Sequence, residues 1–320
     1  MEYDNLSILV TGGAGFIGSH IVEHLLKNNI KLVRVLDNLS TGSMDNINHL
    51  MKYSNFEFIW GDINNIDMCR KACRGINAIC HQAALGSVPR SMEDPLTSHN
   101  SNINGFLNIL VAAKETGIKR IVYASSSSVY GDNKEMVKIE EDIGTQLSPY
   151  AITKYVDELY GNLFSKIYSM ECIGLRYFNV FGPRQNPNGA YAAVIPKFIQ
   201  QFIDGKISTI NGDGKYSRDF TYIDNVVYAN CLALFTKNSQ CFGEIFNVGT
   251  NNSISIIELF NFIKKAFNKN ELEPIYGNVR IGDVPYSNAS IDKISKYLGY
   301  QPKIYFEEGL DKTINYFIDK

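Results

Sequence analysis

The strongest constraint on this chain is a set of three glycines between an apolar run and a helical segment. Ser7 to Val10 is short and mostly apolar, Gly12, Gly15 and Gly18 follow at intervals of three residues, and Ser19 to Lys27 has a helical pattern. A strand that ends in glycines can bring bare backbone N–H groups against a pyrophosphate, and the following helix points the positive end of its dipole at the same anion. The stretch therefore predicts a strand, a tight turn and a helix that together bind a dinucleotide.

An acidic residue at the end of the second predicted strand indicates which dinucleotide. Lys31 to Leu36 is a second apolar run, and Asp37 follows it directly. A carboxylate at this place accepts hydrogen bonds from both ribose hydroxyls and repels a 2′-phosphate. We therefore predict NAD as the cofactor, and not NADP.

Composition excludes several other classes of protein. The chain has 320 residues, of which 45% are hydrophobic and 20% charged, and its formal net charge is -2. This is ordinary globular composition, and the scattered Lys and Arg residues predict no nucleic-acid surface. No window of about 18 apolar residues could span a bilayer, and Glu2 and Asp4 make the start unlike a signal peptide. We expect a cytoplasmic protein that does not contact membranes.

The six cysteines are spaced irregularly and are expected to be reduced and mostly buried. Cys69 and Cys73 can share one helix face, but no further Cys or His lies at metal-ligand spacing. We therefore predict no metal site.

The first part of the chain alternates strands with helices. Four further apolar runs are Phe56 to Trp60, Asn77 to His81, Arg120 to Ala124 and Glu171 to Leu175, and Asn100 to Thr116 has helical period. Such alternation is typical of an α/β fold with a doubly wound, Rossmann-type parallel sheet. We assign residues 1–178 to a dinucleotide-binding domain.

The remainder, residues 179–320, is interpreted as a smaller α/β domain that binds the substrate. Prolines and glycines interrupt residues 179–215, and helical segments then mix with short strands. Residues 224–248 are expected to return to the first sheet. The substrate is predicted to lie in the crevice between the two parts.

A tyrosine and a lysine follow the fifth predicted strand at helical spacing. Tyr150 and Lys154 come just after Pro149, at a predicted helix start, so their side chains share one helix face. Tyrosine ordinarily has a pKa of about 10, which is too high for a base at neutral pH. A nearby ammonium group and the positive nicotinamide ring both favour the phenolate, so the pair can remove a proton from a sugar hydroxyl.

Four serines, Ser125 to Ser128, end the fifth predicted strand. Ligands lie at the carboxyl edge of a parallel sheet, and a serine hydroxyl there can share a proton with a substrate oxygen. Ser126 and Ser127 are the catalytic candidates, and Ser127 is also a candidate substrate ligand. Turn formation at the strand end is the alternative interpretation of the run.

Together, these motifs resemble those of the extended short-chain dehydrogenase/reductases that act on nucleotide sugars. The resemblance covers nearly the whole chain and is greatest to the bacterial UDP-N-acetylglucosamine 4-epimerases. It rests on Asp37 and on the motifs at residues 12–18, 81–84, 125–131, 150–154 and 176–182, and for those epimerases on residues 84–91, 148–150, 188–196 and 211–214.

The resemblance implies a role for each matching position. It places the following residues along NAD: Gly12, Gly15, Phe16, Ile17, Gly18, Asp37, Asn38, Ser40, Thr41, Gly42, Asp62, Ile63, Gln82, Ala83, Tyr150, Lys154 and Val180. It places the UDP-sugar against Ser87, Ser127, Asn179, Val194, Arg218, Arg280, Asp283 and Ser287. The two arginines would hold the diphosphate, because a guanidinium fork suits phosphate oxygens. A surface salt bridge is the alternative role for either arginine.

The resemblance also implies the reaction. Dehydratases and decarboxylases of this family carry an acidic residue just before the Val-Tyr-Gly of the fifth strand, where this chain has Ser127 and Ser128. Epimerisation needs no such acid, because the 4-keto sugar only turns and takes the hydride back on its other face. We therefore expect a 4-epimerase that keeps NAD bound and regenerates it in each cycle.

The choice of sugar depends on the room near C2. Family members confined to plain hexoses carry a bulky tyrosine where this chain has Ser287, so the small residue favours UDP-GlcNAc and UDP-GalNAc, with UDP-Glc and UDP-Gal left open. Pro285 and Tyr286 depart from the family pattern. A 4-epimerase of UDP-uronic acids, UDP-GlcA or UDP-GlcNAcA, also stays open, because those enzymes share the serine-rich strand end.

Two further expectations concern idle relatives and assembly. A non-catalytic NAD-binding regulator on the same fold is the remaining alternative, although such proteins typically lack the tyrosine or the lysine. The family commonly forms homodimers through the helices predicted at Asn100 to Thr116 and Tyr150 to Lys166. Both segments have apolar stripes, although a stripe is more often core than interface.

Overall fold

The computed structural model describes residues 5–188, 192–278 and 284–319. Their strands are β1 (Ser7–Thr11), β2 (Leu32–Asp37), β3 (Phe56–Trp60), β4 (Ala78–His81), β5 (Arg120–Ser126), β6 (Val137–Lys138), β7 (Glu171–Tyr177), β8 (Val180–Phe181), β9 (Thr209–Asn211), β10 (Ser217–Asp219), β11 (Thr221–Tyr222), β12 (Ile245–Val248), β13 (Ser253–Ser255), β14 (Ile275–Gly277) and β15 (Tyr286–Ala289). Their α-helices are α1 (Phe16–Lys27), α2 (Ile66–Cys73), α3 (Val88–Glu93), α4 (Pro95–His99), α5 (Gly105–Thr116), α6 (Pro149–Tyr168), α7 (Val194–Ile203), α8 (Ile223–Phe235), α9 (Ile256–Ala266), α10 (Asp292–Leu298) and α11 (Phe306–Ile318).

A seven-stranded parallel sheet forms the centre of the molecule. Its strand order is β12-β7-β5-β4-β1-β2-β3, and every neighbouring pair is parallel. The order reverses between β1 and β4, which opens a crevice at the carboxyl ends of these two strands. The predicted doubly wound, Rossmann-type sheet is therefore confirmed.

Helices cover both faces of this sheet. Ile8 and Val10 point into one core cluster, which α1 and α8 complete, while Leu9 and Leu36 point into a second cluster with residues of α2 and α5. Because neighbouring residues of one strand face opposite clusters, the central strands are apolar on both sides. This explains why they read as continuous apolar runs.

Two helices differ from their predicted starts. The first begins at Phe16, three residues before the predicted Ser19, because the extended Gly15 is its N-cap and Gly18 lies inside the first turn. The helix predicted to begin at Asn100 starts with a π-helical turn, Asn100–Asn104, which joins α4 to α5. Such π-turns often occur at functional sites.

Within the described residues, the later part of the chain contributes to four sheets, two of which have only two strands, β8 with β11 and β9 with β14. A four-stranded sheet has the order β13-β10-β15-β6. The strand β12 instead pairs in parallel with β7 of the large sheet, over Ile245–Val248. The division into domains at residue 178 stays a prediction. None of the helices within the three described ranges is both long and apolar enough to cross a membrane.

Candidate active site

The glycine-rich turn lies between β1 and α1, as its sequence predicts. Gly12 has a φ of +67°, and a Cβ atom there would lie 2.6 Å from the backbone nitrogen of Ala83. Only glycine combines this backbone conformation with so close an approach. The N–H groups of the first turn of α1 have no partner within the helix, so they are available to an anion.

Asp37, the last residue of β2, ties this turn to the next loop. Its carboxylate accepts hydrogen bonds from the backbone N–H of Ala14 at 2.9 Å and of Leu39 at 2.8 Å. Burial raises the pKa of Asp37, and these two hydrogen bonds act in the opposite direction. Each carboxylate oxygen keeps a further lone pair for a ligand hydroxyl.

The loop after β3 lies beside the loop that follows Asp37. Asp62 accepts hydrogen bonds from the Asn38 side chain at 2.9 Å and from the backbone of Asn64 at 2.8 Å. Gly42 lies against the glycine turn, where a Cβ atom would meet the backbone of Ala14 at 2.8 Å. Gly42 therefore supports the glycine turn from behind.

A cavity of about 500 Å³ runs along the carboxyl ends of the strands. It brings together most of the predicted site residues: Gly12, Gly15, Phe16, Ile17, Gly18, Asp37, Asn38, Ser40, Thr41, Asp62, Ile63, Gln82, Ala83, Ser87, Ser126, Ser127, Tyr150, Lys154, Asn179 and Val180. The dinucleotide turn and the tyrosine–lysine pair therefore face one space.

Tyr150 stands at the beginning of α6. Ser148 caps this helix by accepting a hydrogen bond from the backbone of Ala151, and Pro149 is its first residue. The backbone N–H of Tyr150 donates to Ser91 Oγ at 3.0 Å. A Cβ atom on Gly86 would lie 3.9 Å from the Tyr150 hydroxyl, so the loop before α3 passes beside the phenol.

Lys154 lies one turn further along α6 and is almost completely buried. Its ammonium group donates to the Ala124 carbonyl at 2.9 Å and to Asp157 Oδ2 at 3.1 Å. Ala124, Tyr150 and Lys154 all line the cavity. The carboxyl end of β5 therefore fixes the ammonium group on the cavity that Tyr150 also lines.

Ser125 and Ser126, at the end of β5, form different hydrogen bonds. Ser126 lines the cavity, and its Oγ accepts a hydrogen bond from the backbone of Ser128 at 3.1 Å, which leaves its hydroxyl proton available. Ser125 donates to Glu158 at 2.5 Å. Glu158 in turn accepts two hydrogen bonds from Arg176, each of 2.8 Å. Ser125 thus joins the buried support of α6.

The predicted substrate residues are brought together only in part. Ser87, Ser127 and Asn179 line the cavity, whereas Val194, Arg218 and Ser287 are not among its lining residues. Arg218 and Ser287 are register partners on β10 and β15. Arg280 and Asp283 lie outside the described residues.

Several lining residues were not predicted as site residues from the sequence, and Gln185 and Ser101 are among them. Gln185 donates from Nε2 to the Val180 carbonyl at 3.0 Å, while its buried Oε1 has no hydrogen-bond partner among the described residues. Ser101 belongs to the π-helical turn. The signal for Gln185 was its closeness to Asn179 and Val180 in the same loop.

The described ranges contain no group of three or more His, Cys, Asp and Glu side chains that could hold a metal ion. The cysteines among these residues are free thiols, and all six are buried. Burial raises the pKa of the Cys80 thiol to about 12.

Comparison with known proteins identifies the family. The model of the NAD-dependent epimerase/dehydratase family matches residues 8–249. A putative UDP-glucose 4-epimerase of Methanocaldococcus jannaschii is 40% identical over 97% of both chains. A UDP-glucuronate 4-epimerase of Thermodesulfobacterium geofontis is 36% identical over 96% of this chain and 95% of its own.

Solved structures agree with this assignment. A UDP-N-acetylglucosamine 4-epimerase from Methanobrevibacter ruminantium, in complex with UDP-N-acetylmuramic acid, superposes with a TM-score of 0.92 at 38% identity, covering 99% of both chains. The glycine turn, Asp37 and the Tyr150–Lys154 pair are thus set in a fold shared with this enzyme over its whole length. The chain belongs to the NAD-dependent epimerase/dehydratase family.

Proposed function

We propose that this protein is a NAD-dependent 4-epimerase of UDP-sugars that interconverts UDP-GlcNAc and UDP-GalNAc. The observation that carries the proposal is the cavity that Tyr150, Lys154 and Ser126 share with the glycine turn. Similarity to UDP-sugar 4-epimerases over nearly the whole chain supports the reaction class.

The residues present fit NAD. The N-terminus of α1 offers N–H groups for the pyrophosphate, and the Asp37 carboxylate can accept hydrogen bonds from ribose hydroxyls. The buried Oε1 of Gln185 is an acceptor on the cavity wall for which no protein donor is described. When bound there, NAD would supply the acceptor, and afterwards the donor, of the hydride at C4 of the sugar.

The protein's own side chains remove the proton of the sugar's O4 hydroxyl and later return it. The Tyr150 phenolate takes this proton as C4 loses its hydride, which leaves a ketone at C4. Ser126, with its hydroxyl proton available, donates a hydrogen bond to O4. Lys154 favours the phenolate by its charge. After the ketone has turned, the Tyr150 hydroxyl returns the proton, so the cycle closes without net oxidation.

The residues at the carboxyl end of β5 support epimerisation and not elimination as the reaction. Ser127 and Ser128 occupy the place before Val129 and Tyr130 where a second acid would act, and neither can serve as a carboxylate. Glu158, the carboxylate nearest to this strand end in the hydrogen-bond network, is buried and paired with Arg176. Glu158 therefore stabilises the fold and does not serve as the second acid.

The proposed sugar rests on Ser287. This small residue lies on β15 and is only 6% exposed, next to Arg218 on β10. In the family pattern this position lies near C2 of the sugar, and a serine there is smaller than a tyrosine, so we propose that the protein admits an N-acetyl group at C2. The similar UDP-N-acetylglucosamine 4-epimerase structure supports this choice.

The test is direct. Purified protein is incubated, without added NAD, with UDP-GlcNAc, UDP-Glc or UDP-GlcA, and the 4-epimers are followed by NMR. We expect conversion of UDP-GlcNAc, and a loss of about 10²–10⁴-fold in the Tyr150→Phe variant, the range typical of one acid–base group.

Other outcomes select other functions. Turnover of UDP-GlcA alone would favour the uronic-acid 4-epimerase, which the 36% identical relative makes the second candidate. Binding of NAD with no turnover of any of the three sugars, even after NAD is supplied, would favour a non-catalytic regulator.

A homodimer is proposed as the assembly. The outer face of α6 carries Ile152, Leu159, Leu163 and Ile167, which are 50%, 53%, 45% and 61% exposed. An apolar stripe of this length supports a contact with a second copy. Light scattering should show a dimer that the Leu159→Glu variant dissociates, whereas Glu at the similarly apolar Ile203, which is 40% exposed on α7, leaves it intact.

A further inference from the structure

The ammonium group of Lys154 is held by two partners inside the protein. One is the Ala124 carbonyl at 2.9 Å, and the other is Asp157 Oδ2 at 3.1 Å. The side chains of Lys154 and Asp157 are each 2% exposed. Since an ammonium group has three donors, one remains for the cavity that Lys154 lines.

Asp157 is incompletely satisfied in its buried place. Its Oδ1 has no hydrogen-bond partner among the described residues. A buried carboxylate with one unpartnered oxygen has an uncompensated desolvation cost. Burial accordingly raises the pKa of Asp157 to about 7, although the Lys154 charge acts in the opposite direction.

No other titratable group described around Lys154 and Asp157 supplies a free positive charge to Asp157. Glu158, next along α6, is paired with Arg176 of β7. His81 of β4 is neutral at pH 7, because burial and then the Lys154 charge lower its pKa to about 3. Burial raises the pKa of Tyr123 on β5 and of Cys172 on β7, so both are uncharged.

The remaining elements packed against α6 contribute no buried charge to the pair. Tyr130, in the turn after β5, is buried and its pKa is raised by burial. On α3, α4 and α5 the titratable side chains are exposed or half-exposed: Arg90, Glu93, His99, Lys114 and Glu115. The charge of Lys154 is therefore opposed chiefly by Asp157.

We propose that Asp157 is a positioning residue for the reaction, which holds the Lys154 ammonium at the end of β5 and sets how strongly its charge favours the Tyr150 phenolate. This inference rests on the proposed roles of Tyr150 and Lys154. When Asp157 is ionised, it offsets part of the lysine's charge. When Asp157 takes up a proton, the charge of Lys154 acts in full on the phenol.

Two coupled ionisations shape the pH dependence. As the pH falls, Asp157 becomes neutral and the phenolate is favoured more strongly, so turnover declines more gently than a single ionisation would allow. Removing the carboxylate should leave a simple one-proton decline displaced to lower pH.

The test uses Asp157→Asn, which keeps the shape and the oxygen that accepts from Lys154 but removes the charge. Phenolate formation by Tyr150 is followed by near-ultraviolet absorbance, as the difference between each protein and its Tyr150→Phe counterpart. We expect the midpoint of this titration and the acid limb of kcat to move down by about one pH unit, a modest shift for loss of one nearby charge. KM for the sugar should be little changed.

Asp157→Ala separates charge from packing, and Asp311→Asn, an exposed carboxylate on α11, controls for net charge. A downward shift shared by the Asn and Ala variants and absent from Asp311→Asn supports the proposal. Midpoints equal to that of the control overturn it, as does a loss of kcat in Asp157→Ala alone without any pH shift, which would mean packing only. Full turnover by Tyr150→Phe in the otherwise native chain would instead contradict the proposed function.

Discussion

The two halves of the cavity are built in different ways. The cofactor half consists of short segments that directly follow β1, β2, β3 and β4, and every residue predicted there except Gly42 lines the cavity. In the substrate half, Ser87, Ser127 and Asn179 line it, but Val194, Arg218 and Ser287 do not.

This difference shows what one parallel sheet can organise. The carboxyl ends of its strands lie at one edge of the sheet. Residues that follow these strands therefore lie close together once the strand order is set, without further long-range contacts. The predicted substrate residues that do not line the cavity lie on α7 and on the four-stranded sheet, whose elements are far apart in the chain. We expect substitutions in the first half to affect cofactor retention, and those in the second half to affect sugar choice.

The largest effect is expected at Gly12. In Gly12→Ala, the positive φ costs about 1–2 kcal/mol, and the clash with Ala83 adds about 1–3 kcal/mol as in other overpacked sites. Chemical denaturation should show the lower free energy of unfolding, and the purified protein should retain less NAD.

Gly75→Ala is the matched control for this change. Gly75 has a similar φ of +71° but nothing within 4 Å of an added Cβ atom. Equal losses in the two variants would mean that only the backbone conformation matters, and that the close approach to Ala83 does not define the cofactor half.

A smaller effect is expected from Ser287→Tyr in the substrate half. With Ser287 near C2 as proposed, the tyrosine should lower kcat/KM for UDP-GlcNAc by about 10–100-fold, the range for steric discrimination in a pocket. Activity on UDP-Glc and the NAD content should persist. Ser287→Ala keeps the residue small and should leave both sugars unaffected; an unchanged sugar preference in the tyrosine variant would place the N-acetyl group elsewhere.

The smallest effect is expected at Ser91, which joins α3 to the start of α6. Its Oγ accepts from the Tyr150 backbone and donates to the Val88 carbonyl at 2.8 Å. Ser91→Ala removes both hydrogen bonds. Loss of the one from the Tyr150 backbone is worth about 1 kcal/mol, or about fivefold in kcat if it holds the tyrosine in place.

Ser98→Ala serves as the comparison for Ser91. Ser98 is equally buried and donates to the Asp94 carbonyl at 3.0 Å. If kcat falls by the same factor in both variants, the loss comes from general loosening of this region and not from the contact with Tyr150.

The sequence was sufficient for features that depend on neighbouring residues. The glycine spacing predicted the turn, and the apolar runs predicted the parallel sheet, because both follow from local backbone geometry. The NAD-dependent family and the fold are confirmed. The individual roles of the site residues stay predictions.

Features that depend on burial could not be predicted in this way. The sequence shows that Asp157 lies three residues after Lys154, so the two side chains can meet on a helix. It does not show that packing of α6 against β5 buries both side chains. The π-helical turn has no sequence signature, so Ser101 was missed. Gln185 lines the cavity because the loop after β8 folds back onto Val180.

The outer strand of the large sheet has a consequence for biosynthesis. β12 covers the free edge of β7, yet it is translated only after residues 178–244. Until then a nascent chain exposes a seven-residue strand edge, which can pair with other chains. A shorter nascent chain that ends before α8 also lacks Asn230, which binds Gln82 at 3.1 Å on the cavity wall. The cofactor-binding half is therefore expected to mature only once about three-quarters of the chain has left the ribosome, since such long-range pairing cannot form earlier.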